Sequence, residues 1–142
     1  MFEIEDNKIG ASHHPFTAPL KDSFFEETEI EAIKNHDSRS YDLVLNGNEI
    51  GGGSLRINDA AKQRFIFEKL GFTNEEIDNS IGWFLKALTF GTPPHGGIAI
   101  GLDRLLAIML NKETIREVIA FPKTSKATDE LTKGPYPKKH EK

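Results

Sequence analysis

The chain has 142 residues, a formal net charge of −4 and no cysteine. This length suits one domain with a real core, and the lack of cysteine excludes a disulfide framework, a thiol nucleophile and a zinc–thiolate site. The acidic balance argues against a domain held to nucleic acid mainly by a basic face, so any RNA contact must be local. No apolar run approaches about 20 residues and the acidic N-terminus is unlike a signal peptide. We expect a soluble, cytoplasmic protein with no membrane partner.

The first 40 residues are acidic and weakly patterned. They contain one extended island, His13-His14-Pro15-Phe16-Thr17-Ala18-Pro19, in which two prolines disfavour helix just before them. Part of the stretch from Phe24 to Asn35 is predicted to be a short helix.

A hairpin follows. Tyr41 to Leu45 alternates toward an Asn46-Gly47-Asn48 turn, and Gly51 to Ile57 reads as a flexible or bulged return strand.

Two helices are predicted next. Asn58-Asp59 can cap a helix that runs to Leu70 and is closed by Gly71, and Thr73 with Glu76 forms a capping box at the start of an apolar-striped helix that reaches about Phe90. Four aromatic residues near or within these helices are expected to be core: Phe65, Phe67, Trp83 and Phe84.

The most informative stretch runs from Thr92 to Leu105 and predicts a stiff loop, a strand and a helix with Arg104 in its first turn. Gly97, Ala99 and Gly101 alternate along the strand, so one face carries no bulk and a flat base or ribose can approach it. A tight strand-to-helix packing joint with a surface arginine explains the same pattern, and the pattern alone leaves both interpretations open.

A last short strand is predicted from Val118 to Phe121. Because the strands begin with a hairpin and the helices cluster, the predicted fold is α+β, an antiparallel sheet flanked by helices. Residues 1–122 are predicted to form the domain, and residues 123–142 a polar, loosely ordered tail.

Asp42 and Glu49 are the strongest metal-site candidates that simple geometry supplies. If a two-residue turn joins the strands, partner positions sum to an odd number and both carboxylates fall on one face of the hairpin. Such a pair beside glycines suits a Mg²⁺ ion held jointly with phosphates. A solvated polar face of the hairpin is the alternative.

Other candidates are cationic. Arg56, just beyond three glycines, can bind a small carboxylate bidentately, although a surface arginine is the commoner fate. His13 and His14 can hydrogen-bond a substrate or simply shape a loop, and His95 between Pro94 and Gly96 favours loop shaping. Gly51-Gly52-Gly53-Ser54 lacks the ending of a P-loop.

Taken together, these motifs resemble the C-terminal part of the catalytic domain of bacterial-type aspartyl-tRNA synthetases, which are class II aminoacyl-tRNA ligases. The resemblance rests on six runs: His13 to Thr17, Tyr41 to Gly47, Glu49 to Ile57, Gly91 to Gly97, Gly101 to Leu105 and Ile119 to Lys123.

The resemblance implies roles for single residues. Arg104 is similar to the motif 3 arginine that clasps ATP, and Arg104 and Glu49 are the implied catalytic residues. The implied ATP-binding set is Glu49, Gly101, Leu102, Asp103 and Arg104. Asp42 and Glu49 are the implied magnesium ligands, and His13, His14 and Arg56 the implied aspartate-binding residues.

The implied reaction activates aspartate with ATP and transfers it to tRNA. Family members are several times longer, so the resemblance implies that the chain lacks motifs 1 and 2 and is incomplete on its own. We therefore expect it to need the missing upstream half of the synthetase or to self-associate through an exposed sheet surface. A non-catalytic paralogue or fragment that binds an adenylate or docks onto a synthetase is the alternative. Ala99 departs from a glycine common in motif 3.

Overall fold

The computed structural model describes residues 2–5, 8–27, 35–129 and 131–135. The described strands are β1 (Phe2–Glu5), β2 (Lys8–Ala11), β3 (Ser40–Leu45), β4 (Asn48–Leu55) and β5 (Gly96–Ile100). The described helices are α1 (Ala60–Lys69), α2 (Asn74–Leu88) and α3 (Leu102–Met109), and Asp22–Glu26 and Ile115–Glu117 form 3₁₀ turns. These elements confirm the predicted α+β class. Across the described parts of the chain, no helix is both long and apolar enough to span a membrane.

Strands β3, β4 and β5 form a three-stranded antiparallel sheet in that order. Asn46 and Gly47 join β3 to β4 with φ angles of 50° and 77°. Two successive left-handed residues define the turn whose twist matches paired strands, and Asn-Gly is its preferred sequence. The predicted hairpin is therefore confirmed, and the two-residue turn that was a condition of the shared-face argument for Asp42 and Glu49 is present.

The N-terminal strands were not predicted. β1 and β2 pair antiparallel, with Phe2 opposite Ala11 and Glu5 opposite Lys8. The available signal was the short alternation of Phe2-Glu3-Ile4-Glu5, which is typical of a strand with one buried face. Four residues are too few for that alternation to stand out against an acidic background.

The capping residues of α1 and α2 act as predicted. The Asp59 carboxylate accepts a hydrogen bond from Lys62 N at 2.8 Å. Thr73 and Glu76 form the reciprocal capping box. Gly71 follows α1 with a φ of 91°, in the left-handed region that glycine tolerates best. Local chemistry therefore fixes where these helices begin and end.

Among the described residues, two apolar clusters form the core. One contains Phe24, Ile57 and Ile66, and the other contains Phe67, Ile77, Leu85 and Leu88. Phe65 and Phe84 pack against these clusters as predicted.

The core prediction for Trp83 is wrong, because its side chain is 74% exposed. The buried stripe of α2 contains Ile77, Leu85 and Leu88. Trp83 precedes Leu85 by two residues, about 200° around the helix, and so lies on the face opposite that residue. Trp83 therefore points away from the core although it is large and aromatic.

The predicted strand from Val118 to Phe121 is also wrong. Val118 instead ends the 3₁₀ turn Ile115–Glu117, and its N–H donates to Ile115 O at 3.0 Å. The Thr114 hydroxyl accepts from Arg116 N at 3.3 Å and so starts the turn. Ile119 to Phe121 lie in neither a helix nor a strand, so the β-propensity of these residues alone does not make a strand.

Two further predictions lie partly outside the described residues. The helix predicted within Phe24 to Asn35 falls mostly on residues 28–34, which lie outside the described residues, and only its first three residues lie in the 3₁₀ turn Asp22–Glu26. Within the tail, the backbones of Lys123 and Asp129 form an isolated antiparallel β-bridge. The Asp129 carboxylate accepts a hydrogen bond from Thr132 N at 2.6 Å. This hydrogen bond lowers the pKa of Asp129. Residues 130 and 136–142 lie outside the described part.

The chain divides into two compact units. The first comprises residues 1–43 and 51–99, and the second comprises residues 44–50 and 100–142. The candidate residues for carboxylate binding fall in the first unit, and those for nucleotide binding from Gly101 to Arg104, together with Glu49, fall in the second.

Candidate functional site

In the second unit, the start of α3 contacts the strand that carries Glu49. Gly101 is the residue that precedes the helix, and Arg104 lies in its first turn, as predicted. Gly101 N donates to Ile50 O at 2.7 Å, and Arg104 Nη1 donates to Glu49 O at 2.8 Å. Two residues that the resemblance assigns to ATP, 55 positions apart, are therefore in direct contact.

This contact leaves Arg104 suited to an anionic ligand. Its side chain is exposed, and a guanidinium has five N–H donors in a rigid planar fork. The hydrogen bond to Glu49 O orients the fork, while the exposed edge and face still meet solvent. The positive end of the α3 dipole lies at the same place. The arrangement can therefore accept a phosphate or a stacked base.

In the first unit, the glycines serve two purposes. A Cβ atom on Gly53 would lie 1.9 Å from Gly97 O, and one on Gly96 would lie 2.7 Å from Leu55 Cδ2. A Cβ on Gly97 would meet nothing within 4 Å. Tyr41 Oη donates to Gly97 O at 2.9 Å and fixes that peptide. The crowding at Gly53 and Gly96 thus agrees with a tight packing joint. The free space at Gly97 agrees with an open face that a ligand can approach.

The carboxylate-binding candidates of the first unit meet around the His14 ring. Arg56 Nη1 lies 2.9 Å from His14 Nδ1 and also contacts His14 Nε2. His14 is half-buried, whereas His13 is exposed. Burial, then the Arg56 cation and His13, lowers the pKa of His14. The structure therefore brings His14 and Arg56 together, with His14 favoured in its neutral form.

Sequence reasoning missed two buried hydroxyls beside this pair. Thr17 and Ser54 are 2% and 1% exposed. Thr17 Oγ1 donates to Ser54 Oγ at 3.2 Å, and Ser54 Oγ lies 3.3 Å from His14 Nε2. The only sequence signal was the position of each hydroxyl within a singled-out motif, because the pairing joins residues 37 positions apart.

Gln63 of α1 is a second missed residue. It is 0% exposed, and its Nε2 donates to Pro15 O at 2.8 Å. Its position on the buried face of an amphipathic helix was the available signal, because a polar residue there requires a partner. Gln63 anchors the backbone directly after His14.

Arg56 lines a cavity of about 460 Å³ in the first unit. Arg39, Lys62 and His95 add cationic or polar groups to its wall, and Asp22 adds a carboxylate. Lys62 Nζ lies 2.9 Å from Asp22 Oδ1, so that pair is locally neutralised. The remaining guanidinium charge favours a small anion.

His95 takes part mainly through its backbone. Its carbonyl oxygen accepts from Arg56 N at 2.9 Å, and its Nδ1 lies 2.9 Å from Pro93 O. These contacts tie the loop before β5 to the end of β4. They support the loop-shaping interpretation of His95.

The magnesium role of Asp42 and Glu49 stays a prediction. Both side chains are exposed, and the two-residue turn on which the shared-face argument depends is present. Among the residues that the structure describes, no cluster of three or more histidine or acidic side chains forms a metal cage.

Comparison with known proteins defines the class of protein. Residues 7–125 match the family model described as tRNA synthetases class II (D, K and N). This match covers most of the chain, which therefore belongs to that family of class II synthetases.

Curated relatives narrow the similarity. The chain is 53% identical over 136 residues to the aspartate–tRNA(Asp/Asn) ligase of Chlamydia pneumoniae. This alignment covers 95% of this chain and 23% of that protein. It is 51% identical over 135 residues to the aspartate–tRNA(Asp/Asn) ligase of Sulfurovum sp. (strain NBC37-1). This second alignment covers 95% of this chain and 22% of that protein. The chain thus spans about a fifth of the length of these relatives.

Solved structures agree on the fold. An aspartyl-tRNA synthetase from Entamoeba histolytica superposes with a TM-score of 0.62 at 28% identity, over 82% of this chain and 21% of that one. An asparaginyl-tRNA synthetase from the same organism, in complex with asparaginyl-adenylate, gives a TM-score of 0.58 at 25% identity, over 80% of this chain and 25% of that one.

Proposed function

We propose that this chain is the motif 3 portion of the catalytic domain of an aspartate–tRNA ligase and carries part of its ATP, magnesium and aspartate sites. The observation that carries the proposal is the hydrogen bond from Arg104 Nη1 to Glu49 O. It joins the two residues that the family resemblance assigns to ATP. The identity of about half to relatives named aspartate–tRNA(Asp/Asn) ligase supports aspartate as the amino acid.

Arg104 would bind ATP, with help from Gly101 to Asp103; the N–H of Gly101 already donates to Ile50 O, which leaves the N–H groups of Leu102 and Asp103 for the ligand. The helix start supplies N–H groups and a positive dipole end, and the guanidinium supplies a delocalised charge for stacking or phosphate contact. These groups would act by stabilising the negative charge on the phosphate oxygens in the transition state.

Arg56, His14 and His13 would bind aspartate. Arg56 offers a planar fork that matches a carboxylate, and His14 contacts that fork at 2.9 Å. A neutral His14 beside Arg56 accepts a hydrogen bond rather than competing for the substrate's negative charge. Specificity for aspartate over asparagine would come from this uncompensated cation.

Asp42 and Glu49 fit a magnesium ion by the chemistry of their donors. Mg²⁺ prefers carboxylate oxygen and is commonly bound through one or two carboxylates together with substrate phosphates and water. When bound, the ion would neutralise charge on the triphosphate. Glu49 would also keep its backbone contact to Arg104.

The proposed reaction has two steps. An aspartate α-carboxylate oxygen attacks the α-phosphorus of ATP, the bond to the β-phosphate oxygen breaks, and pyrophosphate leaves. A ribose hydroxyl at the 3′ end of tRNA then attacks the carbonyl carbon and releases AMP. Positioning and charge stabilisation suffice for both steps, so no protein nucleophile is required.

The chain would need a partner for this activity. It spans about a fifth of the length of its relatives. The resemblance implies that motifs 1 and 2 lie in the part of those proteins that this chain does not span. Several large apolar side chains of the second unit are exposed, namely Leu102, Met109, Leu110, Phe121 and Leu131. Exposed apolar groups of this kind favour docking of the upstream half or a second copy.

The test is aspartate-dependent exchange of pyrophosphate into ATP. The chain is co-expressed with the preceding part of the Chlamydia pneumoniae ligase, and exchange is measured for each piece and for both. We expect exchange only when both are present, with at least a tenfold loss in Arg104→Ala. Arg116→Ala, which removes a guanidinium from the 3₁₀ turn of the same unit, serves as the matched control. Robust exchange by the chain alone, or full activity of Arg104→Ala, would contradict the proposal.

A binding module is the second candidate. The exposed apolar side chains of the second unit favour it, because such side chains can dock onto a partner without turnover. Docking onto the co-expressed half with no exchange in any combination would favour this function.

A further inference from the structure

Gln63 is a polar residue on the buried stripe of α1. The buried residues of this helix are Gln63, Ile66 and Phe67, and their spacing of three and four positions is that of one helix face. Ile66 and Phe67 each belong to one of the two apolar clusters, and Gln63 is 0% exposed. A buried amide costs free energy unless it is hydrogen-bonded. The partner of this amide is therefore informative.

That partner is the loop that contains the two candidate histidines. Gln63 Nε2 donates to Pro15 O at 2.8 Å. A carbonyl oxygen can only accept, so the amide nitrogen of Gln63 must face Pro15. Among the residues that the structure describes, the amide oxygen Oε1 has no hydrogen-bond partner. An apolar side chain of similar length would fill the same space, so the contact with Pro15 is what distinguishes glutamine here.

The peptide group between Pro15 and Phe16 passes this restraint on to His14. Its oxygen accepts from Gln63, and its N–H, which belongs to Phe16, donates to His14 Nδ1 at 3.2 Å. A peptide group is planar, so a fixed oxygen also fixes the direction of the N–H. The following carbonyl, Phe16 O, accepts from Ile57 N at 3.0 Å. Gln63 therefore acts on the His14 ring through one planar group that is held in place on both sides.

We propose that Gln63 is a positioning residue, which holds the peptide group after Pro15, and through it His14, at the aspartate-binding site. The restraint follows from the contacts above, and the substrate rests on the proposed function. His14 lies in a loop, and loops place functional side chains less precisely than helices do. The Gln63 amide ties this loop to α1, so that His14 stays in place beside Arg56 before aspartate binds.

The first test is amide hydrogen exchange of the nitrogen-15-labelled 142-residue chain, followed by NMR, and it is independent of activity. Gln63→Met removes the amide but keeps an unbranched side chain of similar length. Ile66→Val is the matched control, because it removes a methyl group from the same buried stripe and leaves the amide in place. If Gln63→Met does not fold, Gln63→Leu removes the same donor and carries the test.

The comparison is between the amide of Phe16 and that of Ile77, which lies in α2 and donates to Thr73 O at 3.0 Å. Gln63→Met should accelerate exchange at Phe16 at least tenfold more than exchange at Ile77, because it releases the loop and not the whole unit. Ile66→Val should not accelerate Phe16 more than Ile77. Equal acceleration of both amides by Gln63→Met, or no acceleration at Phe16, would overturn the proposal.

The second test is the aspartate dependence of pyrophosphate exchange in the two-piece assembly. Gln63→Met should raise the KM for aspartate about three- to tenfold, the equivalent of about one hydrogen bond, with kcat changed less than about twofold. Ile66→Val should change neither constant. Arg56→Lys separates the two levels of inference. If Arg56→Lys leaves KM unchanged, the proposed function fails at this site. If Arg56→Lys raises KM but Gln63→Met does not, the positioning role fails alone.

Discussion

Gly53→Ala is expected to destabilise the first unit strongly, because the added methyl group has no room. Its Cβ would lie 1.9 Å from Gly97 O and 2.9 Å from Tyr41 Cε2, whereas real Cβ atoms almost never approach other atoms within 3.0 Å. Neither Gly53 nor Gly97 has a φ in the left-handed region, so alanine strains neither backbone by itself. The clash alone therefore decides the outcome.

The magnitude follows from what must move. Relief of the clash requires β4 and β5 to separate by more than 1 Å, since the obstructing atom is a backbone oxygen held by Tyr41 Oη at 2.9 Å. Overpacking costs about 1–3 kcal/mol, and loss of the tyrosine hydrogen bond adds about 1 kcal/mol. We expect the free energy of unfolding to fall by about 2–4 kcal/mol.

Gly97→Ala is the matched control, because the same methyl group on the facing strand would meet nothing within 4 Å. It should leave stability unchanged or raise it by about 0.4–1 kcal/mol through the unfolded state. Both variants are compared by urea unfolding followed by circular dichroism. A Gly53→Ala midpoint equal to that of Gly97→Ala would refute the packing role of Gly53.

Three further outcomes are expected. Arg104→Ala should lower ATP affinity in calorimetry of the two-piece assembly by about ten- to a hundredfold, because it removes the charge-assisted hydrogen bonds of the guanidinium, and unchanged affinity would place the nucleotide elsewhere. Since the pKa of His14 is lowered by burial and by Arg56, its contribution to stability should be complete above its ordinary value of about 6.5 and decline as pH falls from there through its folded value. His14→Gln should therefore flatten the loss of stability on acidification, and a parallel pH profile would contradict the assignment. Thr73→Ala should cost about 1 kcal/mol in thermal unfolding by removing the capping box of α2, whereas no change would show that the cap is energetically silent.

The sequence by itself determined the features that depend on neighbouring residues. The Asn46-Gly47 turn, the Asp59 and Thr73 caps and the place of Arg104 in the first turn of α3 were all predicted and confirmed. Each rests on backbone preference or on a hydrogen bond within four residues. Such interactions depend only on residues that are close in sequence, so they can be predicted without knowing how the rest of the chain folds.

Only the tertiary structure decided which residues meet across long separations. The Thr17–Ser54 pair and the Arg104–Glu49 contact join positions 37 and 55 residues apart, and no local pattern records such pairings. A Cβ atom would be crowded at Gly53 but not at Gly97, and this difference likewise depends on which strand lies opposite each residue. Trp83 shows that residue type alone can mislead: a large aromatic side chain favours burial, but the position of Trp83 on its helix exposes it. Burial and pairing are properties of a residue's surroundings, and those surroundings exist only once distant segments have packed.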